Sequence, residues 1–280
     1  PNSNEFGIVL GENFKNVQGI AKAKAEIIDN IKKYGTIIIN RDDRFFRYMQ
    51  KKAKLKKLKI VTYGKNKKSD IFPLKIVKGK ILTKIFIKAG NEKIDLELTN
   101  INIYNVLASL AVIKELNLNL HKIKKLFKNF EPSEGRGKTY IISRYNKKFR
   151  FIDESYNANP LSVKNAINNF NLIKKEKFKK YLILGDMLEL GKKSEKYHKD
   201  LSKVINNSNI DKVFIKGEKT LFTYKNLLKS KQGNILQNKD DIDLILGSTI
   251  KNNDYVMIKG SNATGLNILS KNMIRGLNVI

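Results

Sequence analysis

Three short apolar runs constrain this chain more than any other feature: YLILG at 181–185, KVFIKG at 212–217 and YVMIKG at 255–260. Each is too short for a buried helix, and each suits a strand covered on both faces. The stretches between them carry apolar residues at helical spacing, so strand and helix alternate. That alternation is the pattern of a parallel sheet with helices on its faces.

The same pattern opens the chain. FGIVL (6–10) reads as a buried strand. Val17, Ile20, Ala21, Ile27, Ile28 and Ile31 then mark a helix, with Gly35 as its stop. GTIIIN (35–40) and LKIVTYG (58–64) read as strands around a helix at 43–54. Residues 71–99 break the series. They alternate apolar and polar around Lys78-Gly79-Lys80 and Gly90-Asn91, which predicts two antiparallel connections. Helices are predicted near 101–116 and 120–129. The polar, glycine-rich EPSEGRG (131–137) then marks a boundary, giving domains 1–134 and 135–280. Beyond it come strands at 138–145 and 148–153, and helices from Pro160, at 193–207, 218–230 and 239–248, and from 265. NILQ (234–237) adds a further strand, and the whole is an α/β domain of Rossmann type.

Composition excludes several chemistries. There are no cysteines, hence no disulfide, thiolate metal site or thiol nucleophile. No apolar run reaches the roughly 18 residues of a membrane span, no signal peptide opens the chain, and the cytoplasm is the expected location. The first residue is Pro1 rather than Met, so the chain is expected to be a piece of something longer. A net charge of +30 invites a nucleic-acid reading, but 49 of the 56 basic residues are lysine and only 7 are arginine. The lysines are spread along the chain, densest at 51–58 and 174–180, and suggest compositional bias. No nucleic-acid partner is expected.

Three strand ends carry polar clusters: DESYNANPLS (153–162), LGDMLELG (184–191) and IKGSNATG (258–265). Each alone is explained by a turn or a helix-opening loop, with Pro160 in the first helical turn. Three such clusters in one domain point to a site, because parallel sheets keep ligands at the strands' carboxyl ends. SEGRGKTY contains Gly-Lys-Thr but is not a phosphate loop. Pro132 stands where the earlier glycine belongs, and the TYIIS that follows reads as a strand. Arg136 in that segment can still clamp a phosphate. His121 and His198 have no partners at metal spacing, and His198 reads as a packing or capping residue.

Taken in order, GIAKAKAEI (19–27), NIYNVLASLA (102–111), GRG (135–137), DESYNANPLS, LGDMLELG and VMIKGS (256–261) resemble the Mur ligase family, in the branch that adds D-alanyl-D-alanine. The resemblance implies the second half of a central ATP-binding domain followed by a Rossmann-like C-terminal ligase domain. It implies ATP and Mg2+, with UDP-N-acetylmuramoyl-tripeptide and D-Ala-D-Ala as substrates of an amide ligation in peptidoglycan synthesis. ATP would activate the tripeptide carboxylate as an acyl phosphate, which the amine then attacks. Lys24 matches the family lysine that becomes carbamoylated to help position magnesium, and Lys24 and Arg136 are the expected catalytic residues. Asn102 and Asn105 match the adenine-side asparagines, Arg136 the arginine near the phosphates and Asp153 the acid at the ribose. Asn157, Asn159, Asp186, Glu189, Lys259 and Ser261 are expected to line the substrate cleft, with 131–137 as a hinge.

The chain departs from the family at Ile101, where a histidine is usual, at Asn262, where an arginine is usual, and in the short 11–16 segment. The phosphate loop is expected upstream of Pro1, and the isolated chain is expected to be an inactive monomer. A non-catalytic nucleotide- or peptide-binding fragment and a Mur ligase of another branch are the alternatives.

Overall fold

The computed structural model describes residues 17–79, 82–98, 102–128, 131–174, 176–237 and 239–275. The FGIVL strand, the 11–16 segment and Ile101 lie outside the described residues. Two compact units part at residues 130–131.

The first unit contains α1 (Val17–Asn30), β1 (Thr36–Asn40), α2 (Phe46–Leu55), β2 (Lys59–Tyr63), β3 (Ile71–Lys78), β4 (Thr83–Ala89), β5 (Glu92–Leu98), α3 (Ile103–Glu115) and α4 (Leu120–Lys128). Its strands form one sheet in sequence order. β1, β2 and β3 run parallel, and β3, β4 and β5 are antiparallel, as the period-two alternation requires. Ile85, Ile87, Ile94 and Leu96 from alternate positions pack against Leu107, Leu110 and Ala111 of α3.

The second unit begins with a hairpin of β6 (Lys138–Arg144) and β7 (Lys147–Glu154). Tyr145 and Asn146 join them, both with φ 56, the backbone a two-residue turn of this hand needs. Then follow α5 (Pro160–Leu172), β8 (Lys180–Gly185), α6 (Ser194–Asn206), β9 (Lys212–Lys216), α7 (Thr220–Tyr224), β10 (Gln232–Ile235), α8 (Lys239–Thr249), β11 (Tyr255–Lys259) and α9 (Leu266–Arg275). The sheet order is β10-β9-β8-β11-β7-β6, with only β6 antiparallel to its neighbour. Every residue of β8 is buried. Leu182 and Leu184 face Val163, Phe170 and Ile205, and Tyr181 and Ile183 face Leu246, Leu269 and Met273. Both faces are therefore covered, which is why these runs have no polar alternation.

Gly137-Lys138-Thr139 leads into a strand, so the tripeptide has no helix behind it and forms no phosphate loop. The helix expected at 218–230 is only α7, followed by a 3₁₀ turn at Lys229–Lys231. Side chains hold its end. Gln232 Nε2 donates to Tyr224 O at 3.0 Å, and Tyr224 Oη donates to Gly233 O at 2.6 Å. Local backbone amides also cap its last carbonyls: Lys225 N donates to Leu221 O at 3.0 Å, Asn226 N to Thr223 O at 3.0 Å and Leu227 N to Tyr224 O at 3.1 Å.

Candidate functional site

Strand β11, the last in sequence, lies between β7 and β8. In register, Ile258 is opposite Asp153, and Lys259 is opposite both Glu154 and Leu184. The carboxyl ends of β7, β11 and β8 are thus side by side, where the winding of the sheet reverses. That reversal is the position at which open α/β sheets form a ligand crevice. DESYNANP, GDMLELG and KGSN become one continuous floor.

Hydrogen bonds stitch the floor together. Ser261 N donates to Asp186 O at 3.0 Å, and Ser261 Oγ accepts from Leu188 N at 3.0 Å. The same hydroxyl lies 3.4 Å from Ala158 O, so one serine touches all three loops. Lys259 is 2% exposed. Its ammonium donates to Glu154 O at 3.3 Å and to Asn157 O, and lies 3.6 Å from Glu154 Oε2. Burial pushes the Lys259 ammonium down and the Glu154 carboxyl up, each partly offset by the other's charge. Lys259 therefore acts first as an internal tie for the loop after β7.

Asp153 ties the preceding segment. Its Oδ2 accepts from Gly135 N at 2.8 Å, and its Oδ1 accepts from Ser155 N and Ser155 Oγ at 3.1 and 2.6 Å. Gly137 N donates to Asp153 O at 2.7 Å, and Tyr156 N to Gly135 O at 3.1 Å. Gly135, with φ 72, must be glycine, because a β-carbon would stand 2.8 Å from Tyr156 Cβ. This contact places Arg136 over the Tyr156 ring, 4.2 Å from its centroid. Asn159 caps α5: its Oδ1 accepts from Ser162 N at 2.8 Å, while Ser162 Oγ accepts from Asn159 N at 3.0 Å, with Pro160 next. Asn157 is exposed, and its Oδ1 accepts from Ala158 N at 2.8 Å.

The GDMLELG loop is held from beneath. Asp186 Oδ1 accepts from Thr220 N at 2.7 Å. Met187 N donates to His198 Nε2 at 3.0 Å, so the imidazole is the neutral tautomer with its proton on Nδ1, directed at Ser194 O 2.8 Å away. His198 is fully buried, and burial lowers its pKa. Its packing role, expected from the sequence, is thus a specific one. Glu189 is exposed and has φ 60, a left-handed conformation that turns the loop outward.

In the first unit, Lys24 is half-buried on α1, whereas Lys22 is exposed. Asn102 caps α3, its Oδ1 accepting from Tyr104 N at 2.9 Å, and Asn105 is exposed one turn along. Among the described residues no group of three or more His, Asp or Glu could hold a metal ion. Sequence reasoning missed Glu154, Tyr156 and Gly217. The signal for the first two was their place inside DESYNANP; nothing in the sequence points to the third.

The Mur ligase middle domain matches residues 11–113, and the Mur ligase glutamate ligase domain matches residues 117–262. The chain belongs to the Mur ligase family. Among its relatives is the UDP-N-acetylmuramoyl-tripeptide–D-alanyl-D-alanine ligase of Buchnera aphidicola subsp. Baizongia pistaciae, 30% identical over 267 residues, 94% of this chain and 56% of that protein. The enzyme of that name from Bacillus subtilis is 26% identical, over 92% of this chain and 55% of its own length. The chain thus spans a little over half the length of these curated relatives. The fold is that of MurF from Acinetobacter baumannii, with a TM-score of 0.76 at 22% identity, over 94% of this chain and 57% of that one. MurF from Thermotoga maritima in complex with ADP superposes with a TM-score of 0.72 at 20% identity, covering 96% and 61%.

Proposed function

We propose that this chain is the nucleotide- and acceptor-binding part of an ATP-dependent amide ligase that joins D-Ala-D-Ala to a UDP-N-acetylmuramoyl-tripeptide in peptidoglycan synthesis. The observation that carries the reading is the insertion of β11 between β7 and β8, which makes one crevice floor from the three motifs shared with that branch.

In this reading Arg136 offers its guanidinium to phosphate oxygens, where charge builds as the acyl phosphate forms. Asn102 and Asn105 present amides to adenine, each with a donor and an acceptor, and Asp153 lies at the ribose side. Asn157 and Glu189 reach into the acceptor side. Asn159, Asp186, Lys259 and Ser261 act beneath them, holding the loops in place. Lys24 is the residue that would carry a carbamate for magnesium. Gly135 and Gly137 are bonded to Asp153 and Tyr156, which puts the hinge of the 131–137 segment before Gly135.

The test is an acceptor panel. The intact protein containing this chain is supplied with ATP, Mg2+, UDP-N-acetylmuramoyl-tripeptide and D-Ala-D-Ala, or single amino acids in its place. The expected products are the pentapeptide nucleotide, ADP and phosphate, with D-Ala-D-Ala alone. Turnover with a single amino acid instead would assign the chain to another branch.

A further inference from the structure

Of the arginines that sit over aromatic rings, Arg136 lies nearest its ring, and it differs from Arg144 in what its guanidinium does. Arg144 lies 5.2 Å from the Tyr145 ring, but gives its guanidinium to Asp243 Oδ1 at 3.0 Å and Asn272 O at 3.1 Å. Arg136 is nearer its ring, at 4.2 Å, and among the described residues its guanidinium makes no hydrogen bond or ion pair. An acid is at hand, however. Glu154 is two residues from Tyr156, and its Oε1 lies 3.1 Å from where a β-carbon on Gly137, the residue after Arg136, would stand. An arginine paired with Glu154 would spend the N–H fork that an anion needs.

We propose that Tyr156 is a positioning residue for Arg136: its ring holds the guanidinium by the face, keeps it off Glu154, and leaves the N–H edge open for a nucleotide phosphate. A guanidinium stacked on an aromatic face keeps its in-plane donors available, and such a contact is both electrostatic and dispersive. The backbone fixes the two partners. Tyr156 N donates to Gly135 O at 3.1 Å, Arg136 N donates to Ser133 O at 3.0 Å, and Gly135 lies directly on Tyr156 Cβ. Tyr156 is 52% exposed, so its ring is held by no core packing and its free face is available for this task. The proposal rests on Arg136 being a phosphate ligand, as proposed above.

The experiment titrates ATP into the intact protein containing this chain, and into its variants, by calorimetry. Tyr156→Phe keeps the ring, and is expected to bind ATP within about twofold of the wild type. Tyr156→Leu is expected to weaken binding by about three- to fivefold, the size of an exposed cation–π contact. Adding Glu154→Gln to Tyr156→Leu removes the competing acid and is expected to recover most of that loss. A merely structural role for the ring would not predict that rescue. In NMR spectra, Arg136 side-chain protons are expected upfield in the wild type and Tyr156→Phe, and unshifted in Tyr156→Leu. Wild-type affinity in Tyr156→Leu, alongside weakened binding in Arg136→Ala, would overturn the role of Tyr156 alone. Unchanged affinity in Arg136→Ala, or no ATP binding by the wild type, would overturn the phosphate-ligand reading and this proposal with it.

Discussion

Asp186 fills the space beside Gly217: a β-carbon on residue 217 would stand 2.4 Å from Asp186 Cγ and 2.5 and 2.6 Å from its carboxylate oxygens. Gly217 also has φ 122, which side chains rarely adopt. The carboxylate cannot yield easily, because it accepts Thr220 N at 2.7 Å and belongs to a buried residue. Gly217→Ala is therefore expected to cost about 2–4 kcal/mol, from strain and from displacement of Asp186. Urea unfolding of the purified variant measures it, and a cost within 0.5 kcal/mol of zero, the ordinary range for a surface change, would contradict the close approach.

Ser261 is the joint of the crevice floor. Ser261→Ala leaves the Leu188 amide without its acceptor, and is expected to cost about 1–3 kcal/mol. Amide hydrogen exchange localises the effect. Faster exchange at Leu188, with unchanged exchange at β9, is the expected pattern.

His198 makes stability depend on pH. Its folded-state pKa is lowered, mainly by burial, from the ordinary value of 6.5. Above that value both folded and unfolded states hold a neutral ring, and the residue adds no pH dependence. As pH falls below it the unfolded chain takes up a proton that the folded protein refuses, so stability declines until the folded pKa is reached. His198→Gln removes the titration. The stability of the wild type relative to this variant is thus expected to fall between pH 7 and 5, followed by chemical unfolding at each pH. Glu154, whose folded pKa is raised, works in the opposite sense, but equally in both proteins, so it cancels.

Asn159 is a helix cap, whatever else it contacts. Asn159→Ala is expected to lose about 1 kcal/mol, while Asn159→Asp keeps the acceptor and most of the stability. Thermal unfolding distinguishes them. Equal stability of all three proteins would show that the cap carries nothing.

Much of this was legible in the sequence, and the reasons are local. Runs such as YLILG declare a doubly covered strand, and the alternation at 83–98 declares antiparallel pairing, because burial pattern follows strand periodicity. The polar clusters at the ends of β7, β8 and β11 were equally visible. Their adjacency was not, since the place of β11 between β7 and β8 is a long-range fact with no local signal. The same holds for the contact between Gly217 and Asp186. Residue type places Lys259 and Asp153 toward ligands; their bonds show that both also fasten loops, a duty that residue type does not reveal.

The central claim is that the carboxyl ends of β7, β11 and β8 form the ligand crevice. Amide chemical-shift mapping of the intact protein containing this chain on addition of ATP, then D-Ala-D-Ala, tests it most directly. The shifts in the second unit are expected to concentrate at Gly135–Gly137, Asp153–Asn157, Met187–Glu189 and Ser261, and to leave Lys147, Phe178 and Asn252 at the opposite ends of the strands unmoved. Shifts confined to those opposite ends, with Arg136, Tyr156 and Ser261 unchanged, would contradict it.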